Sequence, residues 1–137
     1  MYTSEKNLKL DLRWHLIAAG FLAVFGGIYE LFSHGVYSGW MIFAFTVPLF
    51  LGALPYALLL HLKRIPGKAF RNLWNAGIAC LSVGSVFQGV IVIYGTTNSL
   101  IIAYPITGSI LMFLGFASEC LHLPHNTALL RLRKGKD

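Results

Sequence analysis

Four apolar stretches set the limits on this chain: residues 14–32, 40–62, 73–94 and 100–121. Each comes close to the ~20 residues a helix needs to cross the ~30 Å hydrocarbon core of a bilayer. Backbone polar groups in lipid must be satisfied within the segment, so each stretch is expected to be a helix. The connections 33–39, 63–72 and 95–99 are short, which forces neighbouring helices to run antiparallel. The expected fold is therefore all-α: a polytopic membrane protein whose four transmembrane helices form an antiparallel bundle, one domain over residues 1–137 with short ends at 1–13 and 122–137. A soluble alternative fails on composition. The chain is 56% hydrophobic and 12% charged, against about 25% charged in soluble domains. So short a chain has too little interior to hide that much apolar surface from water.

Charge gives the orientation. Lys6, Lys9 and Arg13 precede the first stretch, Lys63, Arg64, Lys68 and Arg71 fill the second connection, and Arg131, Arg133, Lys134 and Lys136 end the chain. These three segments hold all 11 Lys and Arg residues and share one side of the membrane. The positive-inside rule puts them, and both termini, in the cytoplasm. A multi-pass protein of a bacterial cytoplasmic membrane is the expectation. The first apolar stretch is too long for a signal-peptide core and lacks a small-x-small cleavage site, so it is read as a retained helix. The net charge of +6 does not indicate nucleic acid, because no basic groove with interleaved aromatics exists. The lipid bilayer is the expected partner, and the basic segments would attract anionic lipid.

Packing signals are weaker. Pro48, Pro55 and Pro105 each remove a backbone donor and favour a kink, with hydroxyls such as those of Thr46 and Thr107 expected to help satisfy the freed carbonyls. Small residues recur as Ala19, Ala23 and Gly27, and as Ala76, Cys80 and Gly84, rows that suit close helix approach. Ser82, Ser85 and Ser109 are mid-helix and expected to bond a carbonyl one turn back. Cys80 and Cys120 fall at different depths and are read as buried small residues rather than a disulfide. Phe25–Ile28 and Phe87–Val90 hint at a tandem duplication of a two-helix unit.

Two polar clusters could carry chemistry. At the outer end, Glu30 continues the small-residue face of helix 1, and a carboxyl at that depth is costly unless paired, hydrated or protonated. His34 follows one turn later, and Tyr29, Tyr37, Gln88 and Asn98 fall at the same end. Together they are expected to line an outward-facing polar pocket that binds a ligand or exchanges a proton. The plainer reading has Glu30 hydrogen-bonding a tyrosine or histidine and fixing helix packing. At the inner end, His15, His61 and His122 offer imidazoles to a haem or metal, since histidine ligation of haem is chemically ordinary. Glu119 lies one turn before His122, but Pro124 interrupts the helix before His125. No phosphate-binding glycine loop and no nucleophile elbow is present, so nothing marks an enzyme.

Four short helices with a glutamate in the first resemble, in gross plan, the small multidrug-resistance transporters. Glu30 lies nearer the outer end than the mid-membrane glutamate of that family, and the chain is longer, so no site residue is carried over. The expected role is a small binding or transport module centred on Glu30 and His34. Four helices leave little room to enclose a pathway, so a homo-oligomer or a larger membrane complex is expected. The alternatives are a non-catalytic subunit or assembly factor of such a complex, and a haem-binding electron-transfer subunit.

Overall fold

A computed structural model of the chain describes residues 2–32 and 35–134, with side chains described for residues 6–32 and 35–121. The described residues form α1 (Tyr2–Leu31), α2 (Gly39–Ile42), a π-helical segment (Val47–Ala53), α3 (Leu54–His61), α4 (Lys68–Ile93), a 3-10 turn (Ser99–Ile102) and α5 (Ala103–Lys134). Within them, Lys6–Leu31, Gly39–His61, Lys68–Ile93 and Ser99–Leu121 are long and apolar enough to span a membrane. The described part of the polar lead-in, residues 2–13, belongs to the same continuous helix as the first apolar stretch.

The second span is not one helix. Pro48 and Pro55 divide it into α2, the π-helical segment and α3. Each proline lacks the N–H that an α-helix directs one turn back. Pro55 cannot donate to the Leu51 carbonyl, and the Trp74 indole N–H from α4 donates there instead, at 2.9 Å. Ahead of Pro48, the Thr46 hydroxyl donates to the Phe43 carbonyl at 2.6 Å. In lipid such substitutes decide whether a broken helix is tolerated. The Leu51 carbonyl left free at Pro55 is thus satisfied by a side chain of α4, and the Ala44 carbonyl that Pro48 cannot reach takes the Val47 N–H at 3.4 Å.

This broken span is the centre of the fold. Met41, Ala44, Pro48, Gly52 and Tyr56 are all buried, at three- and four-residue intervals that make one continuous stripe. It packs against both α1 and α4, which have no broad interface with each other. Two glycines make the outer end of this sandwich possible. A Cβ on Gly26 of α1 would stand 2.9 Å from the Met41 carbonyl oxygen, and one on Gly89 of α4 would stand 2.8 Å from the Met41 Cβ. The α2 backbone thus threads between two side-chain-free surfaces.

Helix α5 is an outer layer, packed on α4 and the 3-10 turn with no comparable interface to α1. The four spans pack as an open stack in the order α1, second span, α4, α5. At the α4–α5 crossing, a Cβ on Gly77 would lie 2.8 Å from the Gly108 carbonyl oxygen, and a Cβ on Gly115 3.3 Å from the Leu73 Cβ and the Trp74 N. Gly84 meets Tyr104 at the other end, so rising residues on α4 face falling residues on α5, and the pair is antiparallel. The small residues that matter are the heptad-spaced pairs Gly77/Gly84 and Gly108/Gly115. Of the rows read from sequence, Ala23, Gly27 and Ala76 are exposed, and only Ala19 and Gly84 are fully buried. The two halves also differ: the second span is broken and central, whereas α5 is continuous and peripheral.

Candidate functional site

The acidic residues come first, because a carboxylate inside a membrane protein must be accounted for. Glu30, half-buried at the end of α1, accepts a hydrogen bond from the Ser38 N–H at 3.0 Å. Ser38, at the entry to α2, is itself 1% exposed. The carboxylate thereby closes the loop between the first two spans. Glu119 of α5 does the same at the opposite end, taking the Gly67 N–H, at the entry to α4, at 2.8 Å. Asp11 of α1 accepts from Arg71 Nε of α4 at 2.6 Å, and the two form an ion pair. All three acidic side chains among the described residues are engaged at helix entries or helix junctions. The partner seen for Glu30 is a backbone N–H, that of Ser38, where the plainer reading named a tyrosine or histidine. His34 lies outside the described residues.

The cavity nearest the outer end has other walls. A cleft of about 540 Å³ opens between the second span, α4 and the start of α5. Trp40 and Val47 form one side, Leu81, Ser85 and Gln88 of α4 another, and Asn98 closes the outer end. A neighbouring recess of about 440 Å³ shares Trp40, Val47 and Ser85 and continues past Thr46. The fold explains the opening: α2 is drawn in against Gly26 and Gly89, and the turn at residues 43–45 leaves no continuous helix to fill the gap beyond it. The cleft wall is mostly apolar and carries no charged side chain. The Asn98 Oδ1 accepts from the Leu100 N–H at 3.0 Å, which caps the 3-10 turn and fixes the amide at the mouth.

Of the residues expected to share one outer pocket, Gln88 and Asn98 meet in this cleft. Glu30, Tyr29 and Tyr37 do not line it. Tyr29 packs its ring against Phe25 at a centroid distance of 5.9 Å, and Tyr37 is 71% exposed. Ser85, expected to bond a carbonyl one turn back, lines the cleft. Trp40, at the start of the second apolar stretch, forms part of the wall.

The inner end holds a second constellation. His15 Nε2 lies 3.0 Å from Asn75 Oδ1, and the Tyr56 hydroxyl donates to the same oxygen at 2.7 Å. The His15 and Tyr56 rings stack at 5.4 Å with 13° between planes. Gly52 makes the space, since a Cβ there would stand 2.6 Å from both Cγ and Nδ1 of His15. With Nε2 bonded to Asn75 and Nδ1 against Gly52, His15 presents no nitrogen to a metal, and His61 is exposed at the end of α3. The side chain of His122 lies outside the described residues. Among the described residues no group of three or more His, Cys, Asp and Glu side chains gathers at metal-binding distance. Asn75 and Tyr56 were not singled out from sequence. Their only advance signal was a polar side chain inside an apolar stretch.

No protein-family model matches the chain, and no curated protein or solved structure is significantly similar to it.

Proposed function

We propose that the protein is a binding or transport module of the membrane that takes an uncharged, largely apolar ligand into the cleft between the second span and α4. The observation that carries this reading is the cleft itself. Its volume falls in the range of about 300–1,000 Å³ typical of small-molecule sites, and its apolar wall with a few placed polar groups is the usual composition. The Gln88 and Asn98 amides and the Ser85 hydroxyl offer hydrogen bonds to one polar end of a guest. A charged guest would find no counter-charge there and would bear its full desolvation cost. The reading therefore moves the expected pocket from Glu30 and His34 to Gln88, Asn98 and Ser85.

Photoactivatable diacylglycerol in nanodiscs tests it. Cross-links are expected on residues 81–88 and 98–102 in the unmodified protein. Ser85→Trp, which fills the cleft, is expected to abolish them while helicity and melting temperature hold. Labelling spread evenly over α1 and α5, or unchanged by Ser85→Trp, would remove the proposal.

Both termini are placed in the cytoplasm on the distribution of Lys and Arg, so the cleft faces outward. A cysteine introduced at the exposed Val36, with Cys80 and Cys120 replaced, is expected to react with a membrane-impermeant maleimide in intact cells. Reaction only after the cells are opened would invert the topology. A second reading, a subunit of a larger membrane complex, draws support from α1. Gly20, Ala23 and Gly27 lie exposed on it, and a Cβ on Gly20 or Gly27 would meet nothing within 4 Å. Such a surface admits close approach of a partner helix.

A further inference from the structure

We infer that the guest of the cleft is a membrane lipid with an uncharged, hydroxyl-bearing head, and that it enters sideways from the bilayer between the second span and α5. The inference rests on the proposed ligand cleft and adds its substrate class and its route.

The route follows from the order of the stack. The second span and α5 both pack on α4, and among the described residues they share no broad interface with each other. The cleft occupies that gap. Trp40 and Val47 stand on one side, Ile101, Ile102 and Pro105 on the other, and α4 forms the floor. Both rims are apolar and uncovered: Trp40 is 59% exposed and Ile102 63%. Each belongs to a segment of membrane-spanning length and hydropathy, so hydrocarbon lies against it. An apolar guest dissolved in the bilayer reaches this opening without crossing water, where its exposed surface would be costly.

The head follows from how polarity is graded along the cleft. Asn98 and Ser99 stand at the mouth. Measured from the end of α4 at Ile93, Gln88 lies roughly 8 Å, Ser85 roughly 12 Å and Leu81 roughly 18 Å inward, from the rise per residue of a helix. Polar side chains thus line the cleft from its mouth to Ser85, and Leu81 ends it. A lipid in the same leaflet already lies that way, with its head at the interface and its chain toward the midplane. The Asn98 Oδ1 caps Leu100, which leaves the amide N–H groups to donate at the mouth. The Gln88 amide and the Ser85 hydroxyl have no hydrogen-bond partner among the described residues. Polar groups at membrane depth are costly unless satisfied. Amides and hydroxyls together both donate and accept, as a hydroxyl on the guest requires. No charged side chain lines the cleft, so a phosphate head would lose its hydration and gain no counter-charge.

Two photoactivatable diacylglycerols in nanodiscs read the orientation, one with its diazirine beside the glycerol and one with it at the chain end. The first is expected to label Gln88, Asn98 and Ser99, and the second Leu81. Phosphatidic acid carrying the same chain-end group is expected to label at least about tenfold less, because its charge is not compensated in the cleft. Trp40→Cys and Ile102→Cys, in full-length protein with Cys80 and Cys120 replaced, place a thiol on each rim. Joining them with a bismaleimide before lipid is added is expected to block labelling, while the unjoined protein labels normally. Joining them after loading is expected to trap the lipid. Identical or interchanged label positions, equal labelling by phosphatidic acid, or full loading of the joined protein would each overturn this inference while leaving the cleft occupied. Absence of cleft labelling with every probe would remove the cleft reading and this inference with it.

Discussion

Asn75→Leu is expected to cost the protein about 2–6 kcal/mol, the sum for two buried or part-buried donors left without an acceptor at about 1–3 kcal/mol each. The two donors are the Tyr56 hydroxyl, on a residue with 0% exposure, and the His15 Nε2–H. Leucine matches asparagine closely enough in shape that packing alone would change little, so the orphaned donors dominate. Tyr56→Phe removes one donor together with its need and is expected to cost only about 0.5–1.5 kcal/mol. The double variant Tyr56→Phe/Asn75→Leu is then expected to be less damaged than the two single costs added, because one orphan has been deleted. Reversible unfolding in mixed micelles measures all three. Strict additivity would show that Asn75 is not the hub of the inner cluster.

Gly77→Ala is the second large effect, at about 1–3 kcal/mol for overpacking a tight contact. The added methyl would lie 2.5 Å from Met112 Cγ and 2.8 Å from the Gly108 carbonyl oxygen. The methionine can swing aside. The carbonyl is backbone and cannot, so α4 and α5 must separate along the broadest interface in the molecule. Gly27→Ala supplies the control, since a Cβ there meets nothing within 4 Å. Its effect is expected within about 0.5 kcal/mol of zero, as for a surface substitution. Equal losses at the two positions would mean that helix contact does not decide the cost.

The contrast shows what sequence reading reaches and what it misses. Four apolar stretches of bilayer length are a local property, and the spans Lys6–Leu31, Gly39–His61, Lys68–Ile93 and Ser99–Leu121 contain or nearly contain the stretches expected. Pro48 and Pro55 announced that the second span bends, yet the π turn between them depends on Trp74, far along the chain. Which glycines face a neighbour was not legible, because small residues on lipid-facing and packed sides look alike until the partner helix is placed. Gly77 and Gly27 are chemically the same residue with opposite surroundings.

The candidate site was legible in part. Gln88 and Asn98 drew attention as amides near the outer end and do line the cleft. Glu30 drew more, as the conspicuous carboxyl, and the structure directs it to the Ser38 N–H. The inner cluster was half visible: His15 stood out, but Asn75 is separated from it by 60 positions. Hydropathy records depth along the membrane normal and nothing about which helix lies beside which.

The seating of Met41 between Gly26 and Gly89 bears on how the molecule is built. Translation delivers the first hairpin before α4 exists, so α1 and the second span must wait in the bilayer with half of Met41's groove missing. When α4 arrives it completes that groove and brings Arg71 and Asn75 to Asp11 and His15 in one docking event. The last helix then has a single surface to find. Shortened chains ending before Ser99 should therefore already assemble the inner polar cluster, whereas chains ending before Lys68 should leave it scattered in lipid.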